Sequence, residues 1–338
     1  MTLKPVNLTA SIATRLRNVA AAKGIDLAFV LRRYAIERLL YRLSVSPERD
    51  RFVLKGAMLF TAWLPDPFRP TQDLDLLGFG DGAVPAIAAD IEAICRVDVP
   101  DDGLMFDVKS LRAEPIRGNQ EYGGVRVKLT ALLARTQIPV QIDIGFGDAV
   151  TPAIVELEFP ALLDTPAPRV RAYPRETVLA EKLQAIVMLG AVNTRIKDYY
   201  DLLALARLFD FNGATVRDAL IATFERRGTP LPVDVPVGLS PEFAGDPQKA
   251  RLWDAFIHRA SLRLEPGDLA AAIEDIAAFV LPPLTAAHKG VAFKKRWKAG
   301  GPWRGVRKPR SAIPSMIRII SGMTPGSTFS VSTSAAQT

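Results

Sequence analysis

The sequence contains a single cysteine, Cys95, and only two histidines, His258 and His288. One thiol cannot form an internal disulfide, and these three side chains are too few for a structural zinc site. No uninterrupted apolar run reaches the roughly 18 residues that a membrane-spanning helix needs. Arg15, Arg17 and Lys23 interrupt the first 24 residues, which lack the apolar centre of a signal peptide. These absences predict a cytoplasmic protein with no membrane partner.

Acidic residues are also absent after Asp275, whereas ten Lys or Arg residues lie between Lys289 and Arg318. Because the whole chain carries a net charge of +7, its remaining part is slightly acidic. Basic residues interleaved with Trp297 and Trp303 could contact RNA phosphates and stack on bases. The alternative is a solvated extension, which the Pro, Gly, Ser and Thr content near the C-terminus favours.

Two acids, Asp73 and Asp75, alternate with leucines in a segment that predicts a β-strand over 73–78. Alternate side chains of a strand point to the same face, so both carboxylates point to one place. In apolar surroundings they repel each other unless a cation lies between them. Mg²⁺ suits the pair best, with Mn²⁺ as a substitute, because it is commonly held by one or two carboxylates plus the phosphates of a substrate. A solvated edge strand and a Ca²⁺ loop remain alternatives.

A glycine turn lies upstream of these acids. The apolar run that begins at Phe52 ends in Lys55-Gly56-Ala57 and then becomes compatible with a helix. Glycine permits a tight turn, and the N–H groups that point outward where a turn enters a helix can bind phosphate.

A third acid, Asp143, is placed in a predicted strand over 138–145. It is either satisfied by backbone donors at a strand end or is a third metal carboxylate beside Asp73 and Asp75. Three acids with two Mg²⁺ ions suit phosphoryl or nucleotidyl transfer, because the metals stabilise both the attacking and the leaving oxygens.

Hydrophobic periodicity predicts an α/β (α+β) protein with a mixed sheet. Helical spacing is predicted at 10–23, 27–43, 83–95, 176–188, 194–208, 212–228 and 248–282. Strands are predicted at 52–55, 73–78, 104–112, 124–133 and 138–145, the last two as an antiparallel hairpin with a loop at 135–137. The Pro-rich stretch 160–174 is the predicted boundary between two lobes. The chain is thus divided into an N-terminal helical segment (1–48), a catalytic domain (49–165), a helical lobe (166–290) and a basic, partly disordered tail (291–338).

The helices after this boundary carry charged residues among apolar ones. Lys182 lies among Ala and Leu residues, and its simplest interpretation is a surface ion pair, either at i,i+4 or with another helix. Asp198 and Asp201 are spaced i,i+3 on one helix face, where Asp201 could also pair with Lys197 at i,i+4.

In their order and spacing, these motifs resemble the AbiEii/AbiGii-type nucleotidyltransferase toxins, a branch of the DNA-polymerase-β-like nucleotidyltransferase superfamily. The resemblance covers roughly residues 10–300. It rests on Leu54-Lys55-Gly56, Arg69-x-Thr71-x-Asp73-Leu74-Asp75-Leu76, Gln141-Ile142-Asp143, Glu181-Lys182-Leu183 and Lys197-Asp198-Tyr199-Tyr200-Asp201-Leu202. One departure is Gly56-Ala57, where the superfamily usually has Gly-Ser or Gly-Gly, so that only backbone donors remain at this turn.

The resemblance implies a polymerase-β-like domain with N-terminal helices and a helical C-terminal lobe. It also implies Mg²⁺-dependent transfer from an NTP to a hydroxyl, with the metals held by Asp73, Asp75 and Asp143. Asp143 would in addition take the proton of the attacking hydroxyl. Nucleotide contacts are implied for Lys55, Gly56, Ala57, Arg69, Thr71 and Lys182, and closure of the cleft for Asp198 and Asp201.

Members of this family are toxins of two-gene toxin–antitoxin or phage-defence systems. The resemblance implies that the acceptor is the acceptor end of tRNA and that the partner is a cognate antitoxin, often a winged-helix protein encoded nearby. Two other functions remain open: a nucleotidyltransferase acting on a small-molecule or protein hydroxyl, and a catalytically idle RNA-binding protein.

Overall fold

Two helices begin the described part of the chain. The computed structural model describes residues 8–64, 71–116, 123–259 and 264–305. Helix α1 spans Leu8–Lys23 and α2 spans Leu27–Ser44. Asp26 caps α2 by accepting hydrogen bonds from the backbone N–H groups of Ala28 and Phe29, which satisfies two donors that a helix start leaves unpaired. Both predicted N-terminal helices are confirmed.

A seven-stranded mixed sheet follows, in the order β3-β4-β5-β2-β1-β7-β6. Strands β2 and β5 are parallel, as are β1 and β7, and the other neighbours are antiparallel. The elements of this part are β1 (Phe52–Lys55), α3 (Met58–Trp63), β2 (Asp73–Gly78), α4 (Val84–Cys95), β3 (Leu104–Ile116), β4 (Gly124–Leu133), β5 (Thr136–Phe146), β6 (Val155–Glu158) and β7 (Arg169–Ala172).

The two faces of the central strands differ in burial, as the period of two requires. On β2 and β5, Leu74, Leu76, Ile142 and Ile144 are buried, and they form one core with apolar residues of α2 and α4. The acids and amides between them lie on the opposite, partly exposed face. This alternation confirms the predicted mixed α/β class and leaves one polar face of the sheet open for a site.

Strands β6 and β7 are the part of the sheet that the sequence did not predict. They lie within or next to the Pro-rich stretch interpreted as a lobe boundary, yet β7 pairs with β1 and extends the sheet to Ala172. Both strands are short, and charged residues occupy half of their positions, which hides a strand pattern but is usual for a protected edge.

The second lobe is helical and begins at Arg175. It contains α5 (Arg175–Leu189), α6 (Ile196–Leu208), α7 (Gly213–Arg226), α8 (Pro241–Ala244), α9 (Pro247–Arg259) and α10 (Leu269–His288). The segment predicted as one helix over 248–282 is therefore two helices. Among the helices that the structure describes, α10 is the one long and apolar enough to cross a membrane, but half of it is buried inside the protein, as in the core helix of a globular lobe.

A small sheet closes this lobe and includes part of the predicted tail. It is formed by β8 (Phe211–Asn212), β9 (Lys295–Trp297) and β10 (Trp303–Gly305). Trp297 and Trp303 pack against Phe279, and their indole N–H groups donate to the backbone carbonyls of Ala206 and Phe279. The interpretation that these tryptophans stack on bases is wrong, because they belong to the aromatic core of the lobe. The tail after Gly305 lies outside the described residues.

Candidate active site

The parallel pair β2–β5 brings the three predicted acids to one face of the sheet. Asp75 lies directly beside Asp143, and Asp73 lies beside Gln141. Burial raises the pKa of Asp75 to about 6; Lys55 opposes this shift, and repulsion from Asp143 and Asp73 adds to it. Within the described residues, neither Asp73 nor Asp75 has an ion-pair partner. A cation between them would therefore be stabilising.

The third acid already has a cationic partner that the sequence analysis missed. Strand β4 places Arg126 opposite Asp143, and its guanidinium donates from Nε at 2.8 Å and from Nη2 at 2.6 Å to the two carboxylate oxygens. Asp143 is thus satisfied by an arginine and not by backbone donors at a strand end.

The Arg126–Asp143 pair occupies one of the three acids that the sequence predicts as Mg²⁺ ligands. The described part of the chain contains no group of three or more His, Cys, Asp or Glu side chains arranged to hold a metal ion. Asp73 and Asp75 nevertheless fit Mg²⁺, which needs only one or two carboxylates when phosphates and waters complete its shell. The role of Asp143 as a metal ligand stays a prediction.

The glycine turn fits directly against this acid pair. Gly56 has a φ of +70°, a conformation that favours glycine, and a Cβ at this position would lie 2.1 Å from Oδ2 of Asp75. The chain then enters α3 through Ala57. The turn at Lys55-Gly56-Ala57 and the strand of acids therefore approach each other as closely as the backbone allows.

A cavity of about 260 Å³ opens between this turn and the helical lobe. Its charged and turn residues are Lys55, Gly56, Ala57, Asp75, Glu181, Lys182, Arg195, Lys197, Asp198 and Arg227. Of the other predicted nucleotide contacts, Thr71 is half-buried and does not line this cavity, and Arg69 lies outside the described residues.

Lys182 lies at the centre of a buried charge network. Its Nζ is 2.9 Å from Oδ1 of Asp198 and 2.7 Å from Oδ2 of Asp201, and Arg195 contacts the other oxygen of Asp198 at 2.6 Å. The interpretation as a surface ion pair is wrong, because all three partners Lys182, Asp198 and Asp201 are buried. Asp201 pairs with Lys182 and not with Lys197, which is exposed.

The structure shows different environments for the two acids of α6, which the sequence could not distinguish. Asp198 lines the cavity, whereas Asp201 is completely buried behind Lys182. Burial would raise the pKa of Asp198, but Lys182 and Arg195 outweigh it and hold that pKa below its ordinary value. Asp198 is therefore an ionised group facing the cavity, and Asp201 fixes the lysine from behind.

A second charge cluster joins the sheet to the helical lobe. Lys55 donates to Asp148 and lies 3.4 Å from Glu181, and Arg227 contacts the same two acids at 3.1 and 2.9 Å. Burial lowers the pKa of Lys55, but Glu181 and Asp148 outweigh it and raise that pKa above its ordinary value. The hydroxyl of Tyr173 lies 3.5 Å from both acids. Lys55 and Glu181 belong to motifs visible in the sequence, whereas Asp148 and Arg227 gave no signal there.

A family model described as nucleotidyl transferase AbiEii toxin, type IV toxin–antitoxin system, matches residues 38–278. Two solved structures are similar, namely JHP933 from Helicobacter pylori (16% identity, 75% of this chain and 89% of that chain, TM-score 0.42) and a protein provisionally described as a nucleotidyltransferase from H. pylori (15% identity, 75% and 92%, TM-score 0.39). No curated protein matches the sequence.

Proposed function

The chain belongs to the AbiEii family of nucleotidyl transferase toxins of type IV toxin–antitoxin systems, and from this premise we propose that it transfers a nucleoside monophosphate from an NTP to an acceptor hydroxyl with Mg²⁺ or Mn²⁺ as cofactor. The observation that supports this most is the position of Asp75. It belongs both to the pair of same-face acids on β2 and to the cation-rich cavity beside Gly56.

The cavity suits the triphosphate of an NTP. Lys182, Arg195, Lys197 and Arg227 present positive charge to it from the helical lobe, and the backbone N–H groups of the Gly56 turn add uncharged donors. Lys182 and Arg227 are already held by acids, so their positions are fixed before the nucleotide binds. Positive groups fixed in advance are the arrangement that stabilises a developing pyrophosphate charge best.

Asp73 and Asp75 are the residues that would hold the metal. Bound there, Mg²⁺ would supply charge stabilisation to the attacking and leaving oxygens. The raised pKa of Asp75 is consistent with a carboxylate that awaits a cation.

Asp143 would accept the proton of the attacking hydroxyl. Both of its oxygens accept hydrogen bonds from Arg126. Each carboxylate oxygen has a second lone pair, so Asp143 can take this proton without breaking either hydrogen bond.

The family implies a cognate antitoxin partner. We further propose that this antitoxin is a winged-helix protein encoded nearby, that the acceptor is the acceptor end of tRNA in the cytoplasm, and that the pair serves phage defence. The same triphosphate site would also serve transfer to a small-molecule or protein hydroxyl, because it contacts the NTP more than the acceptor.

The test combines an acceptor survey with a double substitution. The protein is incubated with Mg²⁺, each labelled NTP, and either total tRNA or a tRNA-free lysate. Label on RNA supports the proposal, label on a protein or small molecule supports the alternative acceptor, and no label supports the idle RNA-binding protein.

Asp73→Asn with Asp75→Asn should abolish transfer and growth inhibition without unfolding the protein, since it removes two like charges. The matched control is Asp234→Asn with Asp254→Asn, which removes two exposed acids elsewhere and should leave transfer unchanged. Full activity in the first double variant would show that the metal site is wrongly placed.

A further inference from the structure

A second cavity opens beside Asp73, where strand β2 begins, and it is bordered by β4, β5 and α2. It has a volume of about 300 Å³, and its polar lining includes Arg32, Gln72, Asp73, Lys128, Thr130 and Gln141. The triphosphate cavity described above is lined by Asp75 and not by Asp73. The two acids of β2 thus face two different cavities.

The strand register makes the second cavity a direct continuation of the active site. Across the sheet, Asp75, Asp143 and Arg126 lie abreast in one row, and Asp73 and Gln141 lie in the next row. Lys128 completes that second row, opposite Gln141. Neighbouring rows on one face are two residues apart along the strands, or roughly 7 Å.

The geometry of the reaction determines what this second cavity can hold. In nucleotidyl transfer the attacking and leaving oxygens are roughly in line with the reacting phosphorus, on opposite sides of it. Under the proposed function the leaving pyrophosphate would lie with the cations around Gly56, so the attacking hydroxyl would approach from the side of Asp73. Resting on the function proposed above, we propose that the second cavity binds the 3′-terminal nucleotide of a single-stranded RNA end.

The charges of the cavity favour RNA over a protein hydroxyl. Arg32 has no ion-pair partner in the part of the chain that the structure describes, and Lys128 contacts only the half-exposed Glu114, at 2.9 Å. The guanidinium of Arg32, together with Lys128, matches a phosphodiester, which the side chain of a protein acceptor does not bring.

The uncharged groups fit the same ligand. The amides of Gln72 and Gln141 and the hydroxyl of Thr130 can donate to and accept from ribose hydroxyls and base edges. The described lining contains no aromatic side chain on which a base could stack. Binding should therefore depend strongly on salt, because phosphate contacts dominate it.

The first experiment measures the binding of a short, fluorescently labelled single-stranded RNA that ends in a 3′-deoxynucleotide, so that no transfer can occur. Arg32→Ala with Lys128→Ala should weaken RNA binding about tenfold. The slope of log affinity against log salt should fall by about 0.7 for each lost phosphate contact. The matched control is Arg251→Ala with Lys289→Ala, which removes the same charges from exposed sites outside both cavities and should bind RNA as the wild type does.

A second substitution tests the assignment by a gain of binding. Glu114→Gln frees Lys128 from its ion pair and should strengthen RNA binding. Glu92→Gln, which breaks the exposed Arg96–Glu92 pair on α4, should change it less. The affinity for NTP should be the same in all of these variants, because none of these residues lines the triphosphate cavity.

The outcomes separate this inference from the proposed function. If RNA receives label but Arg32→Ala with Lys128→Ala binds RNA like its control, the cavity is not the acceptor site and the transferase function stands. If the same variant loses NTP affinity as much as RNA affinity, the cavity belongs to the nucleotide and the inference is wrong. If RNA binding depends on the cavity but wild-type protein labels no RNA with a free 3′-hydroxyl, the binding site stands and the proposed function fails.

Discussion

Gly56→Ala should remove most of the nucleotidyl transfer activity while the chain still folds. The added Cβ would lie 2.1 Å from Oδ2, 2.7 Å from Cγ and 2.8 Å from Cβ of Asp75. Because an unstrained contact between heavy atoms is about 3.5 Å, Asp75 would have to move by roughly 1 Å. Rotation of its side chain can move the oxygen but not the Cβ, so strand β2 itself must shift.

Two costs add up in this variant, and they differ in kind. An L-residue in the left-handed region, where Gly56 has a φ of +70°, costs about 1–2 kcal/mol. Overpacking against Asp75 should cost about 1–3 kcal/mol more of unfolding free energy. A displacement of about 1 Å at a catalytic group can reduce the rate about 100-fold, so activity should suffer far more than stability.

The assay measures chemical denaturation and the transfer of labelled NTP for the variant and a matched control. Gly290 has a φ of +65°, and a Cβ there would meet nothing within 4 Å, so Gly290→Ala carries the backbone strain without the clash. In a double-mutant cycle, Asp75→Gly removes the clashing atoms and should recover the overpacking part of the stability loss. The reasoning is refuted if Gly56→Ala transfers nucleotide as well as Gly290→Ala does, or if the cycle shows no coupling.

Three further substitutions test the charge networks. Lys182→Ala removes the cation that two buried aspartates share, although Asp198 keeps its contact with Arg195. It should lower the free energy of unfolding by about 3–5 kcal/mol in denaturant titrations and weaken NTP use, with Lys182→Arg milder in both; unchanged stability would contradict the buried network. The cations beside Asp148, although burial opposes them, hold its pKa at about 2, below the ordinary 3.8, so its contribution to stability is present above pH 4 and is lost as the pH falls to about 2. Asp148→Asn should therefore be less stable than wild type at pH 7 but not at pH 2, and a difference that persists at pH 2 would count against this account. Arg126→Gln removes the partner of Asp143 and should lower the free energy of unfolding by about 1–3 kcal/mol. Mg²⁺ should raise the melting temperature of this variant more than that of the wild type, because Asp143 is then available to the ion. An equal rise would mean that Asp143 does not bind the ion.

The alternation of acids and leucines was sufficient to predict the face of the sheet on which Asp73 and Asp75 lie. A strand has a period of two, so the positions that bury Leu74 and Leu76 leave both acids on the other face, whatever the neighbouring strands are. The apolar run that contains Asp143 likewise predicted the strand that pairs with β2. These features depend on local pattern, which a single sequence contains.

Arg126 was missed because its position depends on the register of one hairpin. The predicted strand bounds, 124–133 and 138–145, would pair Leu133 with Ile138 and place Arg126 opposite Gly145. The observed turn pairs Leu133 with Thr136, so Arg126 faces Asp143 instead. Ala134 takes a positive φ of 54° in this turn, which is uncommon for alanine and hard to predict from its sequence.

The environment of Lys182 was missed for a different reason. An ion pair with another helix was one of its interpretations, but sequence spacing predicts particular partners only at i,i+3 and i,i+4 within one helix. The partners Asp198 and Asp201 on the following helix, and the burial of the pair, were therefore not predictable. The same spacing rule suggested Lys197 as the partner of Asp201, whereas helix packing brings Lys182 there. The burial of a lysine cannot be predicted from the hydrophobicity of its sequence neighbours. These neighbours are equally apolar whether the lysine lies in the core or at the edge of the core.

The division of labour between the lobes explains why the missed contacts matter. The sheet supplies Asp73, Asp75 and Asp143, and the helical lobe supplies Lys182, Arg195, Lys197 and Arg227. Under the proposed function, these acids would hold the metal and these cations the triphosphate, so the distance between the lobes has to be fixed. The cluster of Lys55, Asp148, Glu181 and Arg227 contains two cations and two acids that contact each other across both lobes. A salt-bridged network of this kind fixes the relative position of the two lobes more than it adds net stability. Substitutions in this cluster should therefore alter the rate of transfer through the spacing of acids and cations, even where they leave the nucleotide contacts themselves intact.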